Sequence, residues 1–235
     1  MAGEIRSQMV TFPVVGSSMP GFLARPDGDG PFAGVIVVQE WWGLDAHIKD
    51  VAQRFAGEGL AALAPDLYRG EVAREPNEAQ KLMMALDMNR ASRELSQAAE
   101  WLAGQPYLAG RGIGAIGFCM GGGLALTLAC DSPHVRAAAP FYGMNPRPVD
   151  KVRDLGGPVL AVYAEHDSWV TPDVREELRR ALEGHGKPHE IQVYPGTQHA
   201  FFNDTREVYD APAAADAWSR VLRLFRENLL LGHLV

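Results

Sequence analysis

Apolar and polar positions along the chain follow two periods in turn. Ala33–Val38 is a continuous apolar run, which is typical of a strand buried on both faces of a sheet. The segment after it repeats apolar residues at the i, i+3, i+4 and i+7 spacing of a helix, namely Ile48, Val51, Ala52 and Phe55. The same order of strand and helix recurs to the end of the chain.

The remaining elements are predicted in the same way. Further strands are expected in a hairpin over residues 8–24, at 60–65, in a run ending at 118, and at 135–142, 157–164 and 189–194. Further helices are expected from 92, after 119, at 171–184 and at 213–230, with residues 71–90 as a partly helical lid. This alternation predicts a mostly parallel sheet covered by helices on both faces, in a single α/β domain over residues 1–235.

Composition narrows the class of partner. The net charge is −7 without a run of like charges, which argues against nucleic acid and against an anionic membrane surface. No apolar run approaches the roughly 18 residues of a membrane span, and no secretory signal is expected. Two cysteines indicate no disulfide framework, so we expect a cytoplasmic protein, as a monomer or small homo-oligomer.

One short stretch carries the candidate chemistry. Gly117–Gly121 has the G-x-S-x-G elbow pattern with Cys119 in place of serine, between an apolar strand and a helix. A thiol at a helix N-terminus is favoured as an anion and is reactive. The alternatives are a buried core cysteine, which is our interpretation of Cys130, and a dinucleotide fingerprint over Gly112–Gly117. The second is disfavoured because these glycines precede the turn rather than open a helix.

An acid and a histidine follow the elbow at later strand ends. Asp167 comes just after the predicted strand 157–164, and His199 comes in the loop after the last strand. The order of nucleophile, acid and histidine is that of the α/β-hydrolases. The alternatives are a helix cap for Asp167 and a solvated loop position for His199.

The chemistry of the residue types predicts their roles. Cys119 would be the nucleophile, His199 the acid and base, and Asp167 the group that orients the imidazole. The oxyanion would be bound by the backbone N–H groups of Met120 and of Trp41. No metal and no organic cofactor is expected.

Several segments together resemble the dienelactone hydrolase family. The matching pieces lie between about residues 10 and 230, and they are 38–43, 64–68, 117–122, 141–143, Asp167 with 170–172, and 199–201. The resemblance implies an α/β-hydrolase fold and cleavage of a small ester or lactone. It also implies that Glu40 lies close to Cys119 and helps to deprotonate it when substrate arrives. A charged residue that only satisfies a loop backbone is the alternative for Glu40.

The chain departs from the family where specificity is concerned. Members that act on dienelactone carry an arginine at the position of Asn203 and a second one in the lid, where residues 76–80 supply proline and glutamine. Recognition of a carboxylate by two guanidinium groups is therefore not expected. The predicted substrate pocket is apolar and neutral-polar, and uncharged esters or lactones should be better substrates than dienelactone. It is formed by Trp42, Gln80, Met83, Tyr142, Phe201 and Asn203.

The interpretation favoured by the sequence is a hydrolase of the carboxymethylenebutenolidase type, with a small-molecule ester or lactone as substrate. A general carboxylesterase or thioesterase with the same three residues is the alternative among enzymes. The alternative from another class is a non-catalytic hydrolase-fold protein that binds a ligand or senses oxidants through Cys119.

Overall fold

A sheet of eight strands forms the centre of the structure, a computed structural model that describes residues 4–230 apart from the side chains of residues 110 and 111. In chain order the strands are β1 (Ile5–Val14), β2 (Ser17–Pro26), β3 (Phe32–Val38), β4 (Leu60–Pro65), β5 (Leu108–Phe118), β6 (Val135–Phe141), β7 (Val159–His166) and β8 (His189–Gln198). Across the sheet their order is β1-β2-β4-β3-β5-β6-β7-β8. The strands from β3 to β8 are parallel, whereas β2 runs antiparallel to β4 and β1 antiparallel to β2.

Helices cover both faces of this sheet. They are α1 (Ala46–Gly57), α2 (Pro76–Ala85), α3 (Met88–Ala103), α4 (Met120–Asp131), α5 (Pro172–Gly184) and α6 (Ala211–Leu229), with a 3₁₀ helix at Val149–Asp154. The side chains of α1 and α6 pack in one apolar cluster, and those of α3, α4 and α5 pack in the other. Along β3, Val35 and Val37 join the first cluster while Ile36 and Val38 join the second, as the two-residue period of a strand requires.

The predicted mixed α/β architecture with a mostly parallel sheet is confirmed, and some bounds differ. The third helix begins at Met88 rather than near residue 92, because Asp87 accepts hydrogen bonds from the backbone N–H groups of Asn89 and Arg90, each at 3.0 Å. The predicted lid therefore divides into α2 and the first turn of α3. The last strand continues past Tyr194 because Gln198 still pairs with His166 of β7.

The parallel direction of the strands determines where the loops meet. The carboxyl ends of parallel strands lie at one edge of a sheet. The loops that follow β3, β5, β7 and β8 therefore reach the same edge, and they carry Glu40, Cys119, Asp167 and His199 respectively.

Candidate active site

The turn between β5 and α4 holds Cys119 in a strained conformation. Its φ is 57° and its ψ is −120°, a combination that side-chain-bearing residues rarely adopt. The neighbouring glycines are required by close backbone approach: a Cβ atom on Gly117 would lie 2.0 Å from the carbonyl oxygen of Gly121, and one on Gly121 would lie 2.3 Å from that of Gln39. Backbone crowding therefore fixes the turn, with Cys119 at its apex.

Asp167 and His199 form a hydrogen-bonded pair. The distance from His199 Nδ1 to Asp167 Oδ2 is 2.8 Å, and Asp167 is 8% exposed. The other carboxylate oxygen of Asp167 accepts hydrogen bonds from the backbone N–H groups of Trp169 at 2.8 Å and Val170 at 3.0 Å. These contacts fix the carboxylate and direct Nε2 of the imidazole away from it. Because Nδ1 is occupied by Asp167, Nε2 is the nitrogen left for a proton transfer.

The electrostatics of the pair favour an ionised state. Burial alone would lower the pKa of His199, but the hydrogen bond to Asp167 and the proximity of Cys119 outweigh it and raise that pKa to about 10. Burial alone would raise the pKa of Asp167, but the hydrogen bonds from His199 and from the Val170 N–H outweigh it and bring that pKa below its ordinary value. The imidazole of His199 is therefore a stronger base than a free histidine side chain.

Glu40 lies in the buried interior beside this site. Its Oε2 accepts a hydrogen bond of 2.8 Å from Nδ2 of Asn203, and within residues 4–230 its Oε1 is buried without a hydrogen-bond partner. Burial raises the pKa of Glu40 to about 7, against the opposing effects of the Asn203 hydrogen bond and the nearby His199. Glu40 is therefore a carboxyl group poised to change protonation near neutral pH.

A cavity of about 800 Å³ opens above Cys119. Cys119, His199 and Tyr142 line one end of it, and the ring centroids of Tyr142 and His199 are 4.8 Å apart. Burial, followed by the nearby Glu40, raises the pKa of Tyr142 well above its ordinary value, so its hydroxyl stays protonated. That hydroxyl is buried, and the backbone of Phe202 lies close enough to oppose the rise of its pKa.

Only part of the predicted pocket lines this cavity. Met83 and Tyr142 do, whereas Phe201 and Asn203 are fully buried behind the site and Gln80 is exposed on α2 outside it. Phe201 packs against Tyr142, with ring centroids 5.9 Å apart, and Asn203 is turned towards Glu40. These two side chains therefore support lining residues rather than face a ligand.

Trp42 was also predicted to form the pocket, and it does not line the cavity. It is 9% exposed and lies outside the cavity, where the guanidinium of Arg206 stacks on its ring at 3.8 Å. Arg206 is thus held beside Trp42 and outside the cavity lining, although its charge is near enough to Glu40 to lower the pKa of that carboxyl.

The backbone groups predicted to bind an oxyanion lie on the two segments that meet at the elbow. Met120 is the first residue of α4, so its N–H has no acceptor within the helix. Trp41 lies in the loop after β3, which contacts the elbow through the carbonyl groups of Val38 and Gln39. Within residues 4–230, neither N–H donates to another backbone group.

Sequence reasoning missed most of the cavity wall. The lining residues it did not name lie on α3, on α4, in the segment after β6 and after β7, and they are Met88, Asn89, Ser92, Arg93, Gly123, Leu124, Thr127, Asp131, Met144, Asn145, Pro146, Arg147, Lys151, Trp169 and Val170. No motif marks them. The available signal was the cluster of methionines in the predicted lid, Met83, Met84 and Met88, of which Met83 and Met88 line the cavity.

Two properties of the described residues bear on cofactors and location. Between residues 4 and 230, no three or more His, Cys, Asp or Glu side chains are grouped so that they could hold a metal ion. In the same part of the chain, no helix has the length and apolar character needed to cross a bilayer.

Comparison with known proteins gives the family. The family model described as "Dienelactone hydrolase family" matches residues 19–229, which is most of the chain. The chain belongs to the dienelactone hydrolase family. It therefore has the α/β-hydrolase fold and is a hydrolase of the dienelactone hydrolase type, as its motifs predicted.

Individual relatives of this dienelactone hydrolase family member cover nearly its whole length. "Protein usf" of Aquifex pyrophilus is 36% identical over 230 residues, which is 94% of this chain and 99% of the relative. A protein of Saccharolobus solfataricus named "Putative carboxymethylenebutenolidase" is 35% identical over 247 residues, covering 90% and 95% of the two chains. The crystal structure titled "Putative Dienelactone Hydrolase" from Klebsiella pneumoniae has a TM-score of 0.86 and 34% identity, over 96% of this chain and 100% of that one.

Proposed function

We propose that this chain hydrolyses esters or lactones that carry no charge next to the reacting carbonyl, through a covalent acyl-enzyme on Cys119. The observation that carries the proposal is the convergence of a strained thiol and a hydrogen-bonded Asp167–His199 pair at one end of a large cavity. A buried structural cysteine needs none of these features. A nucleophile that must reach a carbonyl needs all of them.

The protonation states support a two-stage reaction. With a pKa of about 10, His199 is basic enough to take the proton of the Cys119 thiol, and the resulting ion pair is the reactive form. The thiolate adds to the carbonyl, and His199 gives its proton to the departing alcohol as the C–O bond breaks. Neutral His199 then takes a proton from water, whose oxygen attacks the thioester, and the C–S bond breaks to return the thiolate and release the acid. Asp167 keeps the ring in the tautomer that both stages need.

Three further groups complete the proposed machinery. The N–H groups of Met120 and Trp41 would donate to the oxyanion that forms at each addition. Glu40, with a pKa of about 7, would act as a nearby proton acceptor when a thiol form of Cys119 must be activated. Asn203 holds the Glu40 carboxyl in place through its 2.8 Å hydrogen bond.

The neutral surroundings of the reacting end support an uncharged substrate there. The arginine nearest in sequence to His199 is Arg206, and its guanidinium stacks on Trp42 outside the cavity. A carboxylate adjacent to the scissile bond would thus find no guanidinium of the lining at this end of the cavity, and the carboxyl group of Glu40 lies buried beside the site. Such a substrate is disfavoured because like charges in a buried site cost several kcal/mol.

The test is a pre-steady-state burst with a p-nitrophenyl ester. The protein should release one equivalent of nitrophenol rapidly and gain the acyl mass on the peptide that contains Cys119. Cys119→Ala should show neither. Cys130→Ala is the matched control and should keep both, because Cys130 is 9% exposed and burial raises its pKa to about 12. A thiol that only senses oxidants would give no burst, and equal loss in the two variants would also contradict the proposal.

A further inference from the structure

The cavity extends along one helix, and we call it the channel. Its lining includes Cys119 at the beginning of α4 and Asp131 at the end, with Gly123, Leu124 and Thr127 between them. Twelve residues of α-helix separate the two ends, which corresponds to about 18 Å. A volume of about 800 Å³ over this length gives a mean cross-section of about 45 Å², which is wide enough for an extended hydrocarbon chain.

The wall of the channel changes character along its length. At the Cys119 end it carries His199 and the protonated Tyr142. Between the two ends the lining includes the apolar side chains of Leu124, Met88 and Met144 beside the polar Thr127. Methionine side chains are flexible and polarisable, and they adapt to ligands of different shape. The middle section therefore suits a hydrocarbon chain.

The far end of the channel is cationic. Lys151 pairs with Asp131 at 2.6 Å, and Asp131 also accepts a 2.9 Å hydrogen bond from Ser92, the neighbour of Arg93 in α3. Lys151 and Arg93 are thus at the Asp131 end. Arg147 also lines the channel, and it is paired at 3.5 Å with Glu177, which lies outside the lining.

Charge counting shows an excess of positive charge there. Of the three arginine or lysine side chains of the lining, Lys151 is balanced by Asp131 and Arg147 by Glu177, which leaves an excess of one positive charge, that of Arg93. Within residues 4–230, Arg93 makes no ion pair. The excess is opposite in sign to the net charge of −7 of the whole chain. A local cation excess in an acidic protein points to an anionic ligand group.

We propose that this channel binds an elongated ester that carries an anionic group at the end remote from the reacting carbonyl, with Arg93 as the main residue that binds the anion. The inference rests on the proposed function and adds a substrate class to it. Extended chains rise about 3.3–3.6 Å for every three bonds, so a span of about 18 Å places about 15 to 16 bonds between the carbonyl and the anion. A short substrate with its carboxylate beside the carbonyl cannot reach Arg93.

A length series of paired substrates tests the proposal. One arm uses p-nitrophenyl monoesters of α,ω-dicarboxylic acids with 4, 8, 12 and 16 carbons (about 3 to 15 bonds between the two carbonyls). Each is compared with the same compound capped as a methyl ester. The other arm uses acetyl esters of ω-hydroxy acids with the same spacing, which puts the anion on the alcohol side. All are used below their critical micelle concentrations.

The expected result is a preference for the free acid that depends on length. The channel should accept the anion on either the acyl side or the alcohol side of the ester. In the arm that matches, kcat/KM for the long free acid should exceed that of its capped partner by about tenfold, which is 1.36 kcal/mol. The shortest pair should show no such preference. Arg93→Gln should abolish the preference, so that the free acid and its capped partner give the same kcat/KM. Arg153→Gln is the matched control, because Arg153 is exposed on the neighbouring 3₁₀ helix and lies outside the channel lining, and it should retain the preference.

The outcomes separate this inference from the function on which it rests. The anion site is wrong if the capped esters are cleaved but the long free acids are not preferred in either arm, or if Arg93→Gln keeps the preference. The esterase proposal stands in both cases. If no compound is cleaved with a burst on Cys119, the esterase proposal is wrong and this substrate class falls with it. Added salt should weaken a true preference, because it screens the exposed Arg93.

Discussion

Replacing Glu40 by glutamine should make the protein more stable at alkaline pH. Glu40 is 2% exposed, and burial raises its pKa from 4.5 to about 7. Below about pH 4.5 the carboxyl is protonated in the folded and the unfolded state, so it does not affect their balance. Between 4.5 and 7 the unfolded chain releases the proton and the folded protein keeps it, so the free energy of unfolding falls as the pH rises.

The size of the change in the free energy of unfolding follows from the rise in the pKa of Glu40. At 1.36 kcal/mol per pKa unit, a rise from 4.5 to about 7 costs the folded state about 3 kcal/mol once the pH exceeds 7. Glutamine has nearly the same shape and keeps an oxygen for the 2.8 Å hydrogen bond from Asn203. The free energy of unfolding of Glu40→Gln minus that of the parent should therefore be about 3 kcal/mol larger at pH 8 than at pH 4. The variant should also lose activity.

Urea unfolding of both proteins at pH 4, 5, 6, 7 and 8 measures the difference directly, provided that the slopes with denaturant agree. Glu227→Gln is the matched control, because Glu227 is exposed on α6 and its replacement should give a difference that does not vary with pH. A parallel titration of the carboxylic-acid carbonyl band by infrared spectroscopy should have its midpoint near 7 and vanish in Glu40→Gln. A stability difference that is the same at pH 5 and pH 8 would refute the reasoning.

Two further predictions concern the acid and the elbow. Asp167→Asn should lower kcat/KM by about 10²-fold or more, because it favours the wrong tautomer of His199, and parental activity would mean that another acid orients that ring. Gly117→Ala should destabilise the protein by about 2 kcal/mol or more in denaturant unfolding, because its Cβ would lie 2.0 Å from the Gly121 carbonyl oxygen. Gly184→Ala at the end of α5, where a Cβ meets nothing within 4 Å, is the control and should cost nothing. Equal stability of the two glycine variants would contradict the crowding argument.

Particular residues show how far sequence reasoning reached. Cys119 could be found because the elbow is a local motif, in which small residues two positions away permit one backbone shape. The 2.8 Å contact between Asp167 and His199 was anticipated because both follow parallel strands, which bring their ends to one edge. Asn203 was expected in the substrate pocket, yet it is turned inward to Glu40, 163 positions away in the chain. Nothing in the local sequence pattern distinguishes an Asn203 side chain that faces the substrate from one that faces Glu40.

What the sequence by itself determined is the set of features that depend on short-range sterics and on periodicity: the alternation of strands and helices, the elbow with its thiol, and the order of acid and histidine. What only the tertiary structure decided is which side chains share a space. The channel wall combines the start of α3, one face of α4 and the segment that runs from β6 into the 3₁₀ helix. Whether Arg93 or Lys151 faces this channel depends on how separate helices dock, and docking is governed by the packing of distant side chains, which no local spacing records.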